Sequence, residues 1–435
     1  MLVVVAAIAV VALLLFVPFH AQTNVRALLL GLFAFYGAVR LDWLTSRRLG
    51  SSGLATYLKL LALFVACILA SIVTNQRIHV YQDYVEISTV LIAGGSTILW
   101  FEIGSREKLA SLFGRWFIGL CAVYLTVCAW QIVGWWTSSP FGGLYAAYAT
   151  PQTVEAAALL AQRGESDRFA GLSSNPNAHA ALLLLLFLAA WLTGRRRALD
   201  SALEGLCFVL VVFAQSRTGL IAMLAALSLL VASRVRSAEA AIGASLLVLL
   251  VIFLIVSLSR WLTLTFVESV FSENIFEHNS FLLRAGRWRE LLEEALRSPV
   301  FGNAPRQEHF EATGAHFDSE YLLVVWRYGL LGLAAYLLVL VGPVISVLLT
   351  KRADRLTTAL SSALFAATVV IGVTNVTLSD LRFAVFHSMI VGLCFGRLRP
   401  CATQELPHRP PPTSSLLCDP AACTLSHSRR PHGKN

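Results

Sequence analysis

His316, Asp318, Ser319 and Glu320 crowd together at the edge of the apolar run "YLLVVWRYGLLG". An imidazole or carboxylate held there could take a proton from a hydroxyl or steady a developing charge. The same residues admit a structural reading. Asp318 is a favoured helix N-cap, and Glu320 would stand in a first turn, where the helix dipole favours negative charge. Glu320, Val324 and Arg327 share one helical face, so Glu320 can also pair with Arg327. Both readings start a helix here, with Tyr321 as its first apolar residue.

Three other stretches set arginine beside a helix signal. In "RFAGLSSNPNAHA" Asn175 is a good cap and Pro176 suits a first helical turn. Arg168 lies just upstream, and a guanidinium next to a helix N-terminus makes an anion site. In "QSRTGLIAMLAAL" Ser216 can cap the following helix, while Arg217 either snorkels to lipid headgroups or repeats that arrangement. In "HNSFLLRAGRWRELLEEALRSPVFGNA" the pattern is helical from Leu283 to Arg297, with Trp288, Leu291, Leu292 and Ala295 as its apolar stripe. Arg289, Glu293 and Arg297 form an ordinary solvated ladder on the other face. Arg284 and Arg287 instead flank the stripe, where a cation against an apolar surface suits a lipid-linked phosphate. Pro299 ends this helix, and Gly302-Asn303 makes a turn.

The elements that must position these groups are set by a very apolar composition. Of 435 residues, 57% are hydrophobic and 14% charged, against about a quarter charged in a soluble chain; the mean hydropathy is +0.70. The expected fold is an all-α integral membrane protein with about twelve spans of bilayer length. The apolar runs lie near residues 1–19, 27–43, 54–74, 86–102, 113–135, 179–194, 201–215, 218–233, 239–258, 321–350, 357–376 and 384–396. The first lacks a basic n-region and a small-residue cleavage site, so it reads as a span and not as a signal peptide.

Basic clusters fall on every second connection: Arg47 and Arg48, Arg106 and Lys108, Arg195 to Arg197, Arg234 and Arg236, Lys351 with Arg352 and Arg355, and Arg397 with Arg399. The positive-inside rule then puts both termini in the cytoplasm. The expected organisation is nine spans over 1–258, with an external loop at 136–178, and a large external loop with short helices over 259–320. Three more spans over 321–398 and a disordered cytoplasmic tail over 399–435 complete it. Arg163, Arg168, Arg217, Arg260, Arg284, Arg287, Arg289, Arg297 and Arg306 all fall on the external side, which long loops permit whatever their charge.

The cysteines Cys67, Cys121, Cys128, Cys207 and Cys394 fall within spans, and Cys401, Cys418 and Cys423 in or beside the tail. With no zinc-like spacing, they argue against a disulfide framework or a structural metal. Neither a metal, nor another cofactor, nor a nucleic-acid partner is expected. A secondary transporter is the alternative class; it would show repeats and a midplane polar site. Here the polar candidates share one surface, and a long loop breaks any symmetry of halves.

The order "RFAG…NPN", then "SRTG" opening a span, then "S…R..RW…P.FG.A" from Ser280 onward, then "H.DSEYL……YG..G" resembles the O-antigen polymerase and O-antigen ligase superfamily. The resemblance runs from Arg168 to Gly332. It implies a helical, metal-independent glycosyltransferase of the bacterial inner membrane, with a large periplasmic loop between its ninth and tenth spans. It further implies transfer of a glycan from undecaprenyl pyrophosphate to an acceptor sugar hydroxyl. By the same resemblance Arg168, Arg217, Arg284 and Arg287 hold the pyrophosphate, Asp318 or His316 serves the acceptor, and Asn175, Ser280, Glu320 and Tyr321 support them. Ligases resemble a His-Asn-x-Tyr-Leu pattern; counting back from Tyr321, Asp318 stands where the histidine would be. That departure favours the polymerase branch, acting in exopolysaccharide, capsule or O-antigen synthesis, over a ligase acting on lipid A-core. The implied partners are the bilayer, the lipid-linked oligosaccharide, a flippase and a chain-length regulator.

Overall fold

A computed structural model describes residues 1–17, 22–39, 53–76, 80–136, 171–173, 176–193, 198–214, 216–234, 279–305, 319–350, 353–375 and 377–398. Among the described residues there are twelve helices and no strand. They are α1 (Leu2–Phe16), α2 (Gln22–Val39), α3 (Gly53–Asn75), α4 (Val80–Gly104), α5 (Glu107–Trp136) and α6 (Pro176–Thr193), followed by α7 (Ala198–Phe213), α8 (Arg217–Arg234), α9 (Asn279–Ala295), α10 (Glu320–Leu348), α11 (Arg355–Thr374) and α12 (Leu381–Arg397).

Every helix but α9 lies on an expected span, and α9 lies in the expected large loop. The expected span at 239–258, the expected loop at 136–178 except for 136, 171–173 and the start of α6 at Pro176, and the tail at 399–435 fall outside the described residues. Six helices (most or all of α3, α4, α5, α6, α10 and α11) are long and apolar enough to cross a bilayer. Large apolar side chains such as Phe35, Val73, Trp116, Val123 and Leu348 stand exposed on the bundle. A water-facing surface would not carry them in such numbers, whereas a lipid-facing one does. The chain is a multi-pass membrane protein.

The helix starts follow local chemistry. Pro176 is the first residue of α6, where its missing N–H costs nothing. Ser216 Oγ accepts from Gly219 N at 3.1 Å and caps α8. Asp354 and Asp380 cap α11 and α12 through Thr357 N and Phe383 N. The cap position of α10 belongs to Ser319, not to Asp318 as its capping preference suggests, and the Ser319 side chain makes no cap bond. Its hydroxyl reaches Gly372 O on α11 at 3.4 Å instead.

The centre of the bundle is α12, buried from Leu381 to Gly396 without interruption, together with α6, buried at nearly every position. Helices apolar all round belong in a core and not on its edge. α12 lies closest to α4: a Cβ on Gly392 would stand 2.6 Å from Thr97 O, and one on Gly396 2.6 Å from Gly104 C. The spacing Gly392-x-x-x-Gly396 is the small-residue ridge that lets helix backbones touch within a membrane. Cys121, Cys128, Cys207 and Cys394 are buried free thiols of this core.

Contacts between helix ends divide into two sets. At one end Arg382 of α12 donates to Val17 O after α1 and to Leu172 O before α6. Arg26 of α2 reaches Val85 O of α4 there, and Thr218 of α8 meets Thr374 of α11. At the other end Tyr36 of α2 meets Glu102 of α4, Arg397 donates to Leu192 O, and Gly53 abuts Ser346 and Phe395. No described contact crosses from one set to the other. The described spans therefore alternate in direction from α1 to α8 and again from α10 to α12, while α8 and α10 both start at the first end.

Candidate functional site

The first of these ends gathers most of the buried charge. Its organiser is α10, which is not one helix: Gly329 has φ 67° and ψ −166°, and it separates a head, 320–328, from the rest. A broken helix inside a membrane protein must satisfy its freed backbone groups from neighbouring protein. The segment after α9 does so. Leu330 N donates to Pro299 O at 2.8 Å, Asn303 N to Trp326 O at 2.8 Å and Ala304 N to Arg327 O at 2.9 Å. Ser71 Oγ adds a bond to Arg327 O at 2.7 Å, and Asn75 of α3 donates to Gly302 O at 3.1 Å. Two positive-φ glycines permit this clasp. A Cβ on Gly329 would stand 2.2 Å from Val300 O, and one on Gly302 2.4 Å from Arg327 C. The pair seen in the sequence as a Gly302-Asn303 turn and a glycine behind Arg327 is thus one joint.

Two buried carboxylates flank the head. Glu320, 1% exposed, accepts from Thr377 N at 2.8 Å and from Ser379 Oγ at 3.0 Å. Arg327 is not its partner, contrary to the spacing argument: the guanidinium makes an ion pair with Glu86 of α4, both side chains under a tenth exposed. The charge on Arg327 is thereby compensated by a different helix. Tyr321 OH donates to Val369 O of α11 at 2.9 Å, and Tyr336 OH meets Thr377 Oγ1 at 3.0 Å. The connection between α11 and α12 is therefore held from both halves of α10.

Helix α9 docks on the same head. Leu291 and Ala295 pack against Trp326 with Val325 at the margin, so the expected stripe is real but narrower, because Leu292 is 45% exposed. Arg289 and Glu293 form the expected solvent-facing pair at 3.0 Å. Arg287 precedes Leu291 by one turn and lies half-buried on the docking side. Arg284 and Ser280 are on α9, Ser280 in its first turn. Arg217 opens α8, next to the Thr218–Thr374 contact. Since Ser319 touches Gly372, the starts of α8 and α10 both border the last turn of α11. Arg168, Asn175, His316 and Asp318 fall outside the described residues.

Sequence reasoning missed Glu86, Arg26 and Arg382. Arg26 is buried between Val85 O and Thr89 Oγ1, within electrostatic reach of Asp380 and Glu86. The available signal was an acid at the mouth of an apolar run, "YQDYVEIST", because ionisable residues in spans are rare and are retained for pairing or function. Taking Glu86 as the edge of a span hid it.

This end of the bundle carries Arg217 and Arg287 on α8 and α9 and keeps Glu86 and Glu320 bonded. Over residues 202–337, from within α7 to the middle of α10, the chain matches the family model Wzy_C, described as O-antigen ligase. The match supports the O-antigen polymerase and ligase superfamily and contains α8, α9 and the head of α10. No curated protein matches the chain.

Proposed function

We propose that the protein is a polymerase of lipid-linked oligosaccharide repeat units. A sugar hydroxyl of the acceptor attacks the anomeric carbon of the donor glycan, a new glycosidic C–O bond forms, and the bond to undecaprenyl pyrophosphate breaks. The hydroxyl proton passes to Asp318 or His316, and Arg168, Arg217, Arg284 and Arg287 hold the departing pyrophosphate. Planar guanidinium groups suit that leaving group, because they offer several fixed donors to phosphate oxygens and keep their charge. The observation that carries this reading is the family match over 202–337, which contains Arg217, Arg284, Arg287, His316 and Asp318. The shared border of α8 and α10 on α11, and the docking of α9 on α10, support it further. No step calls for a metal.

A second reading, an O-antigen ligase that moves finished polymer to lipid A-core, is favoured by the description of the matching family as O-antigen ligase. Asp318, standing where the ligase pattern has histidine, weighs the other way. The test is polymer length in a null strain complemented with the wild type, Arg217→Ala, Arg287→Ala or Asp318→Asn. The polymerase reading expects long chains from the wild type and single repeat units from the variants. Long polymer left on its lipid carrier by the null strain itself would identify a ligase, and normal polymer from all three variants would remove the site assignment.

A further inference from the structure

The head of α10 raises a mechanical question that the arginine site does not answer. It is too short to hold its own position: a helix of two to three turns is marginal alone, and the break at Gly329 disconnects it from the span below. Its placement must come from its neighbours: the clasp of Asn303 and Ala304 on Trp326 O and Arg327 O, and side-chain anchors at both ends. At its first turn the anchor is Glu320 on Thr377 and Ser379. At its last turn it is Arg327 on Glu86.

The second anchor is not what stability alone would select. A buried ion pair is often no better than well-packed apolar side chains, because both charges lose their water. Below the break α10 is packed with such residues, among them Val339, Leu340 and Val347. An ion pair adds direction, since it is satisfied at one rotation of the helix and lost at others. Two functional parts depend on that rotation. Trp326, next to Arg327, is the platform for Leu291 and Ala295 of α9, the helix of Arg287. Ser319 and Glu320 at the other end continue directly from the residues assigned to the acceptor.

We propose that Glu86 and Arg327 are positioning residues, whose buried ion pair fixes the rotation of the α10 head and thereby sets the start of α10 and the arginine helix α9 relative to each other. This rests on the polymerase reading for its catalytic consequence, but not for its mechanics. Neither side chain touches the substrate. The pair acts through the head, and a displacement of about 1 Å at a reacting group costs on the order of a hundredfold in rate.

The test uses the full-length protein purified in detergent, with Glu86→Gln, Arg327→Met, Arg327→Lys and the double variant Glu86→Gln/Arg327→Met. Two readouts are taken: turnover of a lipid-linked repeat unit, and backbone hydrogen exchange along α10. Glu86→Gln and Arg327→Met are expected to lower kcat by about tenfold to a hundredfold, with the KM for donor changed by less than about threefold because the donor arginines are intact. The double variant leaves no charge buried alone and is expected to lose no more than either single change, since the two side chains act as one unit. Arg327→Lys, which keeps the charge, recovers a measurable part of the rate. Exchange quickens over 319–328 in the double variant and not over 333–348. Additive losses, a raised donor KM at unchanged kcat, a double variant with normal turnover, or exchange that quickens evenly along α10 would each overturn the proposal. If the wild type turns over no lipid-linked donor, the polymerase reading fails and the exchange pattern still decides the mechanical claim.

Discussion

Glu320 shows how a single residue can be read correctly and still be misassigned. Its place in a first helical turn is legible from the sequence, because dipole and capping preferences act within a few residues. Its partners are not, since Thr377 and Ser379 lie 57 and 59 positions away. The same-face logic that pointed from Glu320 to Arg327 sees one helix only, whereas Glu86, the partner Arg327 has, is 241 positions distant. The bonds of Glu320 give a prediction at this scale. Glu320→Ala leaves a buried N–H and a hydroxyl without their acceptor, at about 1–3 kcal/mol for each group. Thermal unfolding in detergent is expected to show a clear fall in Tm, and a smaller one for Glu320→Gln, which retains one acceptor oxygen. An unchanged Tm for Glu320→Ala would mean that these bonds do not hold the connection before α12.

Among the elements, α10 carries the arrangement, and its break is its least legible feature. Hydropathy sees a continuous apolar run over 321–350, and the only sequence trace of the interruption is a glycine inside it. The clasp that completes the break comes from 299–304, read from sequence merely as a helix stop and a turn. Gly329→Ala puts a Cβ 2.2 Å from Val300 O at a left-handed backbone position, so the clasp must open or the helix must shift. Gly119→Ala is the control, with no atom within 4 Å of the new Cβ. Circular dichroism and size-exclusion profiles should show Gly329→Ala losing folded protein while Gly119→Ala matches the wild type; equal behaviour of the two would show that the joint is not needed. By contrast, α6, α8 and the solvent face of α9 were legible nearly residue by residue. Pro176, Ser216 and the Arg289–Glu293 pair act locally, and local chemistry survives folding.

At the scale of the whole molecule, composition and charge order gave most of what the described fold required: a helical membrane bundle whose spans alternate in direction from α1 to α8 and from α10 to α12. Bilayer thickness dictates span length, which is why the apolar runs were legible as helices of this size. Which helices become central did not follow from the pattern, because α6 and α12 look like any other apolar span until the glycines of α12 bring α4 against it. The site lies between these two cases. The arginines and the start of α10 announced themselves by type and order, while the buried acids and arginines that hold them in place came from helices at opposite ends of the chain. The central claim is that this end of the bundle transfers glycans from a lipid pyrophosphate. It is tested most directly by reconstituting the purified protein in liposomes with an undecaprenyl-pyrophosphate-linked repeat unit and resolving the products by size. The account predicts a ladder of lengthening lipid-linked glycans from the wild type and a single unextended band from Arg217→Ala/Arg287→Ala; an unextended donor with the wild type, or an undiminished ladder with the double variant, would contradict it.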